Sequence, residues 1–452
     1  MSSDHSDTIA ALATPPGKGG IGIIRVSGAK AGEAAQMILG RIPSPRYAEY
    51  LPFRRHDSRL ADMGIALYFP APHSLTGEDV LELQGHGGPV VLDGLLNDIY
   101  ALDIRPARPG EFLERAFLNG KIDLAQAEAI ADLIESASSQ AAELAARNLQ
   151  GEFSKKINQL QEMLGRVRMY VEAAIDFPEE EIDFLQDTTL RENLAQLLAQ
   201  LQQTLAASSQ GEIYHEGVHV VIAGRPNAGK STLLNRLSGK DSAIISDIAG
   251  TTRDIIQVDV SIGGVSFRFF DTAGLRDSGD AIETEGIKRA RRQMELADAI
   301  LYVFDSNDSD FSEDVEQVAQ LQAMNKPLCL LQNKVDLQAM PVLPKQWSNL
   351  HRIAMSSLTG AGSEDLQRYL RDTFGVRDSI EGIYITRRRH VVALQQANEC
   401  VQRGIAHLEL AAAGELLAEE LRLAQVALSE ITGEHSSDDL LADIFSQFCI
   451  GK

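Results

Sequence analysis

Apolar and polar positions repeat with two different periods along this chain, and the changes of period mark its parts. In residues 1–118, short apolar runs predict strands at Ile21–Val26, Gly64–Phe69 and Val80–Leu83. Clusters at Pro15-Pro16-Gly17, Pro43–Pro45 and Gly85–Pro89 are expected to separate them as turns. From Leu118 to Ser209 the chain is rich in Ala, Leu, Gln and Glu, which are strong helix formers. There Leu194, Leu197, Leu198, Leu201 and Leu205 recur at helical spacing. The run Asp176–Asp183, with Pro178, breaks the pattern and predicts a loop between long helices. Residues 217–376 alternate strand and helix signals, as a parallel sheet with helices on both faces requires. After Arg387 the helical pattern returns.

The expected fold class is therefore α/β and α. An α+β domain over 1–118 precedes a helical domain built from 119–216 and 377–452, with an α/β domain over 217–376 inserted in it. Insertion is easy where the two ends of a domain lie close together.

Composition narrows the classes. A chain of 452 residues is long enough for two or three domains. It has no apolar run of about 18 residues, so no transmembrane helix is expected. Met1–Ala10 is acidic and polar, unlike a secretory signal or transit peptide, and a cytoplasmic location is expected. Cys329, Cys400 and Cys449 are too dispersed for a disulfide framework or a thiolate zinc site. A net charge of −22 opposes broad binding to phosphate backbones, although a local basic patch could hold RNA. The dense basic run Arg387-Arg388-Arg389-His390 reads as a solvated helix start.

The chemistry concentrates in 217–376. Gly224-Arg225-Pro226-Asn227-Ala228-Gly229-Lys230-Ser231 fits G-x-x-x-x-G-K-[ST]. It stands between a strand candidate, Val218–Ala223, and a helix candidate, Thr232–Leu237, so backbone N–H groups can converge on phosphates. Lys230 would balance the β- and γ-phosphates, and the Ser231 hydroxyl would bind Mg²⁺. Asp271-Thr272-Ala273-Gly274 ends the strand candidate Val265–Phe270; Asp271 can hold the Mg²⁺ shell and the Gly274 N–H can sense the γ-phosphate. Thr251-Thr252 lies between these motifs, where a threonine can reach Mg²⁺ only with a γ-phosphate present.

Asn333-Lys334-Val335-Asp336, after the strand candidate Leu328–Gln332, selects the base. Guanine offers two donors, N1–H and the N2 amine, which one carboxylate accepts together. Adenine would leave Asp336 unpaired, at about 1–3 kcal/mol or more. GTP is therefore expected, with Ser356-Ser357-Leu358 giving backbone contacts to O6. A hairpin turn at Gly263-Gly264 predicts an antiparallel edge strand on the parallel sheet.

The route to hydrolysis is less legible. Leu275, after the Asp271 motif, is apolar and cannot orient water. Arg276, Asp277, Asp280, Glu283 and Glu285 follow it, and the residues alone do not choose among them. Asn227 either ligates a monovalent cation beside the phosphates or is a turn residue tolerating left-handed geometry.

Further segments resemble the MnmE (TrmE) family of tRNA-uridine-modifying GTPases over nearly the whole chain. They include Asp7–Ala10, Ala13–Gly17, Ile23–Gly28, Leu81–Gly88, Arg108–Phe112, Arg115–Lys121, Asp247–Asp254 and Cys449–Lys452. The resemblance implies K⁺ bound by Asn227 with backbone groups of Ser246, Ile248 and Thr251, Mg²⁺ at Ser231 and Thr252, and Glu283 as the catalytic glutamate. With the motifs, it gives GTP contacts from Asn227, Ala228, Gly229, Lys230, Ser231 and Thr232, and from Ser246, Asp247, Ile248, Ala249, Gly250, Thr251 and Thr252. Asp271, Thr272, Ala273, Gly274, Asn333, Lys334, Asp336, Ser356, Ser357 and Leu358 complete that set.

It further implies a tetrahydrofolate-binding, homodimer-forming amino-terminal domain, with Arg25, Glu82, Lys121 and Lys452 around a 5-formyl or methylene derivative. An FAD-binding, MnmG-like partner in a heterotetramer or larger assembly is implied, acting on the wobble uridine of certain tRNAs. By themselves Arg25 reads as a strand-end charge, Glu82 as a residue alternating out of a buried face, and Lys121 as a solvated helix start. Cys449 reads as a small buried hydrophobe, with covalent chemistry beside a folate as the other reading.

Two lookalikes fail their context. Gly17-Lys18-Gly19-Gly20-Ile21-Gly22 fits G-x-G-x-x-G but leads into a strand, not a helix. Cys449-Ile450-Gly451-Lys452 lacks the residues and the upstream basic run of a prenylation site. A regulatory or ribosome-assembly GTPase is a second reading that the GTPase motifs alone do not separate from the first.

Overall fold

A computed structural model describes residues 7–176, 188–239, 257–271, 292–337, 343–376, 380–411, 413–434, 438–448 and 450–451. The chain divides into two compact units: Met1–Ala131 with Leu149–Asp187 and Arg403–Lys452, and Asp132–Asn148 with Thr188–Gln402.

The first unit holds strands β1 (Ile9–Leu12), β2 (Gly19–Ser27), β3 (Glu49–Arg54), β4 (Leu60–Phe69), β5 (Val80–Gly87) and β6 (Arg105–Pro106), in the order β3-β4-β5-β2-β1-β6. All pairs are antiparallel except β1 with β6. Helices α1 (Ala31–Leu39) and α2 (Pro89–Tyr100) bury Ala34, Ile38, Leu92, Leu95 and Ile99 against Ile24, Val26, Leu81 and Leu83 of the sheet.

The three expected strands are present, but the expected turn at Gly85–Pro89 is strand as far as Gly87. Gly87 pairs with Gly19, and a Cβ on Gly87 would stand 2.6 Å from the Gly19 carbonyl oxygen. The glycine thus serves close strand approach rather than a turn.

Helices α3 (Glu111–Leu118) and α4 (Leu124–Glu135) follow, then α5 (Ser139–Leu149) and α6 (Glu152–Asp176). Lys121 lies between α3 and α4, so it does not begin a helix as expected. Helix α6 ends at Asp176, where the loop was expected; positions 177–183 of that loop lie outside the described residues.

The second unit takes in Asp132–Asn148, with most of α5, and then α7 (Thr188–Glu216), which buries Leu194, Leu197 and Leu201 of the expected stripe. Strands β7 (Val218–Ala223), β8 (Gln257–Ile262), β9 (Val265–Asp271), β10 (Ala299–Asp305), β11 (Leu328–Asn333) and β12 (His351–Ala354) form a sheet ordered β12-β11-β10-β7-β9-β8. Every pair is parallel except the edge pair β8 with β9. Its turn glycines, Gly263 and Gly264, have φ of 59° and 82°, the mirror-image turn that matches strand twist. Helices α8 (Lys230–Ser238), α9 (Ser312–Gln322) and α10 (Ser363–Thr373) bury Leu233, Val318 and Leu366 respectively.

Segments on either side of the sheet domain belong to this unit. The Asn148 amide donates to the Ile385 carbonyl at 2.5 Å, and the Thr386 hydroxyl donates to the Ser208 carbonyl at 2.5 Å. Ser138 donates its hydroxyl to the Gly264 carbonyl at the hairpin turn. Segments of the expected helical range 119–216 thus fall in both units.

Helix α11 (Arg388–Ala411) corrects the reading of the basic run as merely solvated. Arg387 pairs with the buried Asp132 at 2.6 Å, and His390 is buried with its Nδ1 accepting from the Arg387 N–H. The partner carboxylate lies 255 positions away in sequence, beyond any local pattern. Helix α12 (Gly414–Thr432) packs on α6; Leu417, Leu421 and Leu428 are buried on α12, and Leu160 and Leu164 on α6. Helix α13 (Asp438–Ser446) brings Phe445 beside Phe117 of α3, with ring centroids 6.3 Å apart.

Candidate nucleotide site

Strand β7 carries the chain out of the sheet core into the loop Gly224–Gly229, and α8 begins at Lys230. Three residues of the loop take positive φ: Gly224 at 135°, Asn227 at 64° and Gly229 at 100°. Gly229 is required twice over, since a Cβ there would stand 2.1 Å from the Asn333 amide nitrogen. No side chain caps α8, so its first N–H groups face an open cavity of about 880 Å³. Gly224, Asn227, Gly229, Lys230, Ser231 and Thr232 line it.

Lys230 is buried, and its ammonium donates to the carbonyls of Gly224 at 2.8 Å and Arg225 at 2.7 Å. An ammonium lining this loop can form charge-assisted hydrogen bonds to an anion. Beside it the Ser231 hydroxyl donates to the buried Asp271 carboxylate at 3.2 Å, across from the end of β9. A hydroxyl and a carboxylate converging next to a phosphate cradle are the oxygen donors that Mg²⁺ takes. Among the described residues no cluster of three or more His, Cys, Asp or Glu side chains could hold a metal by itself.

The segment from Asn333 to Asp336 is tied directly to the loop that follows β7. The Asn333 amide donates to the Ala228 carbonyl at 2.8 Å, while its oxygen accepts from the N–H and hydroxyl of Ser357, each at 2.9 Å. One side chain therefore joins the loops after β7, β11 and β12. Ser356 and Ser357 are buried, and Asp336 and Leu358 are exposed. Arg236 of α8 donates to the carbonyls of Ser357 and Leu358.

Lys334 has φ 63° and reaches Asp305 at 2.6 Å. Burial pushes the Asp305 carboxyl up, but the bonds from Lys334 and Asn307 hold it below the ordinary carboxylate range. Neither Asp305 nor Arg236 figures in the sequence reading. The signal for Asp305 was its place at the end of an apolar strand, where the ligand edge of an α/β sheet lies.

Ser246, Asp247, Ile248, Ala249, Gly250, Thr251, Thr252, Thr272, Ala273, Gly274 and Glu283 lie outside the described residues, as do Cys449 and Lys452. In the first unit, Arg25 and Glu82 stand directly opposite each other across β2 and β5 and pair at 2.9 Å. Arg25 also donates to the Gly451 carbonyl at 3.2 Å and lies 5.6 Å from the Phe112 ring centre. The Lys121 ammonium donates to the Pro72 carbonyl at 2.7 Å. Arg25 and Glu82 thus come together with the chain's penultimate residue, and Lys121 is held at a different loop.

The sheet order, the strand–loop–helix phosphate cradle and the Asn333 tie define a P-loop GTPase domain set within a largely helical chain. A family described as the GTP-binding protein TrmE N-terminus matches residues 8–121, and one described as the MnmE helical domain matches residues 124–449. A protein of Proteus mirabilis named tRNA modification GTPase MnmE is 53% identical over 453 residues, covering 99% of this chain and 100% of the relative. One of the same name from Erwinia tasmaniensis is 52% identical over 454 residues, with coverage of 99% and 100%.

The chain belongs to the MnmE family of tRNA modification GTPases, and it is a GTP-hydrolysing enzyme. Among solved structures, Aquifex aeolicus Era bound to GDP·AlF4⁻ is similar at 28% identity and TM-score 0.29, over 40% of this chain and 66% of that one. Among the described residues no helix is long and apolar enough to cross a membrane.

Proposed function

We propose that this chain is a K⁺-dependent GTPase that works with an FAD-binding, MnmG-like partner. Together they add an aminomethyl or carboxymethylaminomethyl group at C5 of the wobble uridine of certain tRNAs, taking the one-carbon unit from a tetrahydrofolate. The observation that carries the reading is the Asn333 amide joining phosphate loop and base loop in a chain that matches the MnmE relatives end to end. Lys230 would bind the β- and γ-phosphates, Ser231 with Thr252 would hold Mg²⁺, and Asp336 would accept the guanine donors. Mg²⁺ supplies charge neutralisation on the phosphates.

Asn227, with backbone groups of Ser246, Ile248 and Thr251, would hold K⁺, and Glu283 would position the attacking water. The left-handed backbone of Asn227 supports a turn role equally well, so K⁺ dependence rests on the resemblance. Arg25, Glu82, Lys121 and Lys452 would surround the folate; the fixed Arg25–Glu82 pair offers it both donors and an acceptor. The amino-terminal domain would pair two copies of the chain. We keep the four-part organisation 1–118, 119–216, 217–376 and 377–452 as its functional division.

Mass analysis of wobble uridines in cells with and without the protein tests the reading, and unmodified uridines are expected without it. Normal wobble uridines in its absence would favour the regulatory GTPase instead. GTP hydrolysis is expected to be several-fold faster in K⁺ than in Na⁺, and equal rates would remove Asn227 from the cation site. Asp336→Asn should weaken GTP by about tenfold and strengthen xanthosine triphosphate, since a donor then faces the base. Unchanged GTP affinity would refute the base assignment.

A further inference from the structure

The phosphate loop contains an arginine whose side chain takes no part in lining the cradle. The guanidinium of Arg225 turns to the start of α9, where it donates to the Asp314 carboxylate at 3.2 Å and to the Asp310 carbonyl at 3.1 Å. Glu313 at 3.3 Å and Asp308 at 3.7 Å add to the same side. Asp314 is 1% exposed, and its other oxygen accepts from the hydroxyl of Tyr302, a fully buried residue of β10, at 2.8 Å. The carboxylate stands in the first turn of α9, where the helix dipole favours negative charge.

The backbone of the same residue faces the other way. The Arg225 carbonyl is one of the two that accept from the Lys230 ammonium, at 2.7 Å. The chain Tyr302–Asp314–Arg225 therefore runs from the sheet core to the atom that orients the phosphate-binding lysine. A guanidinium matched by a buried carboxylate and flanked by two more is also a poor candidate for turning toward transition-state charge, because leaving would strand Asp314.

We propose that Arg225 is a positioning residue of the phosphate loop, staked by Asp314 and Tyr302, and that it sets nucleotide affinity rather than the chemical step. The inference rests on the GTP-binding reading and names a further device of that site. Group by group, the strut predicts a split between binding and turnover.

The experiment measures affinity for a fluorescent GDP and a fluorescent GTP analogue, and kcat at saturating GTP, on the full chain. Arg225→Ala and Asp314→Asn should each raise Kd for both nucleotides about tenfold, the scale of a hydrogen bond to a charged group, while kcat stays within about twofold. Arg225→Lys, which keeps a charge for Asp314, should recover part of the affinity, and Tyr302→Phe should show a smaller loss in the same direction. Unchanged Kd with a collapse of kcat would make the guanidinium a transition-state group and overturn the inference. So would Kd and kcat both unmoved. If Asp314→Asn does not fold, the Arg225 variants and Tyr302→Phe decide alone. A wild-type chain that bound neither nucleotide would sink the GTP reading itself, whereas wild-type binding indifferent to these variants sinks only the strut.

Discussion

Among the described residues the sheets of the two units each have six strands, yet they place their charged groups differently. In the second unit β7, β9, β10, β11 and β12 run parallel, so the residues leaving them emerge at one edge. Lys230, Asp271, Asp305, Asn333 and Ser357 all lie at or just past those strand ends. Most of their contacts are to backbone or to one another across neighbouring loops, leaving a cradle. In the first unit, antiparallel neighbours end at opposite edges, and no such gathering follows from topology. There the charges pair with one another. Arg115 is 2% exposed and bonds Asp7, Glu78 and Glu111, while Arg105 binds Glu111 and Asp7. Parallel topology collects functional groups for a ligand, and the antiparallel sheet spends its buried charges on holding itself.

The comparison breaks most easily at Arg115. Arg115→Met strands Glu111 without one of its partners, and unfolding in urea should show a loss of about 3–5 kcal/mol, with GTP affinity unchanged. A variant as stable as the wild type would mean that these charges do not hold the first unit. The next largest effect belongs to the other sheet. Lys230→Ala should lower GTP affinity about 10- to 100-fold, from the loss of charge-assisted bonds to phosphate, and should move stability far less than Arg115→Met does. Comparable losses of stability in both variants would erase the distinction.

The smallest effect is a pH dependence. Burial raises the Glu111 carboxyl, but Arg105, the Arg108 N–H and Arg115 outweigh it and bring it from an ordinary 4.5 to about 2. Because the folded value is the lower one, its stabilisation is complete above pH 4.5 and is lost as pH falls from 4.5 toward 2. Unfolding curves of wild type and Glu111→Gln should therefore converge as pH drops through that window. A constant gap between them would contradict the assignment.

How far the sequence carried differs between the same two regions. The strand–loop–helix around Gly224–Ser231, the strand ending at Asp271, the strand Leu328–Asn333 and the antiparallel edge pair were all legible, because each is a contiguous run on one strand–loop–helix or hairpin. Arg25 and Glu82 carried no signal of their own as strand residues, and neither reads as half of a pair until β2 and β5 are in register. The basic run at Arg387 misled for the same reason, since its partner Asp132 sits in a distant helix.

Short motifs fixed the class of nucleotide and the local shape of its loop, since spacing along a few residues determines where backbone N–H groups point. Folding alone decided that Asn333 joins three loops, that Arg225 turns away from the cradle to Asp314, and that Arg115 is enclosed by acids. Those pairings depend on which strands neighbour one another and in what register, and side chains dozens to hundreds of positions apart acquire a mutual distance only when the sheet closes.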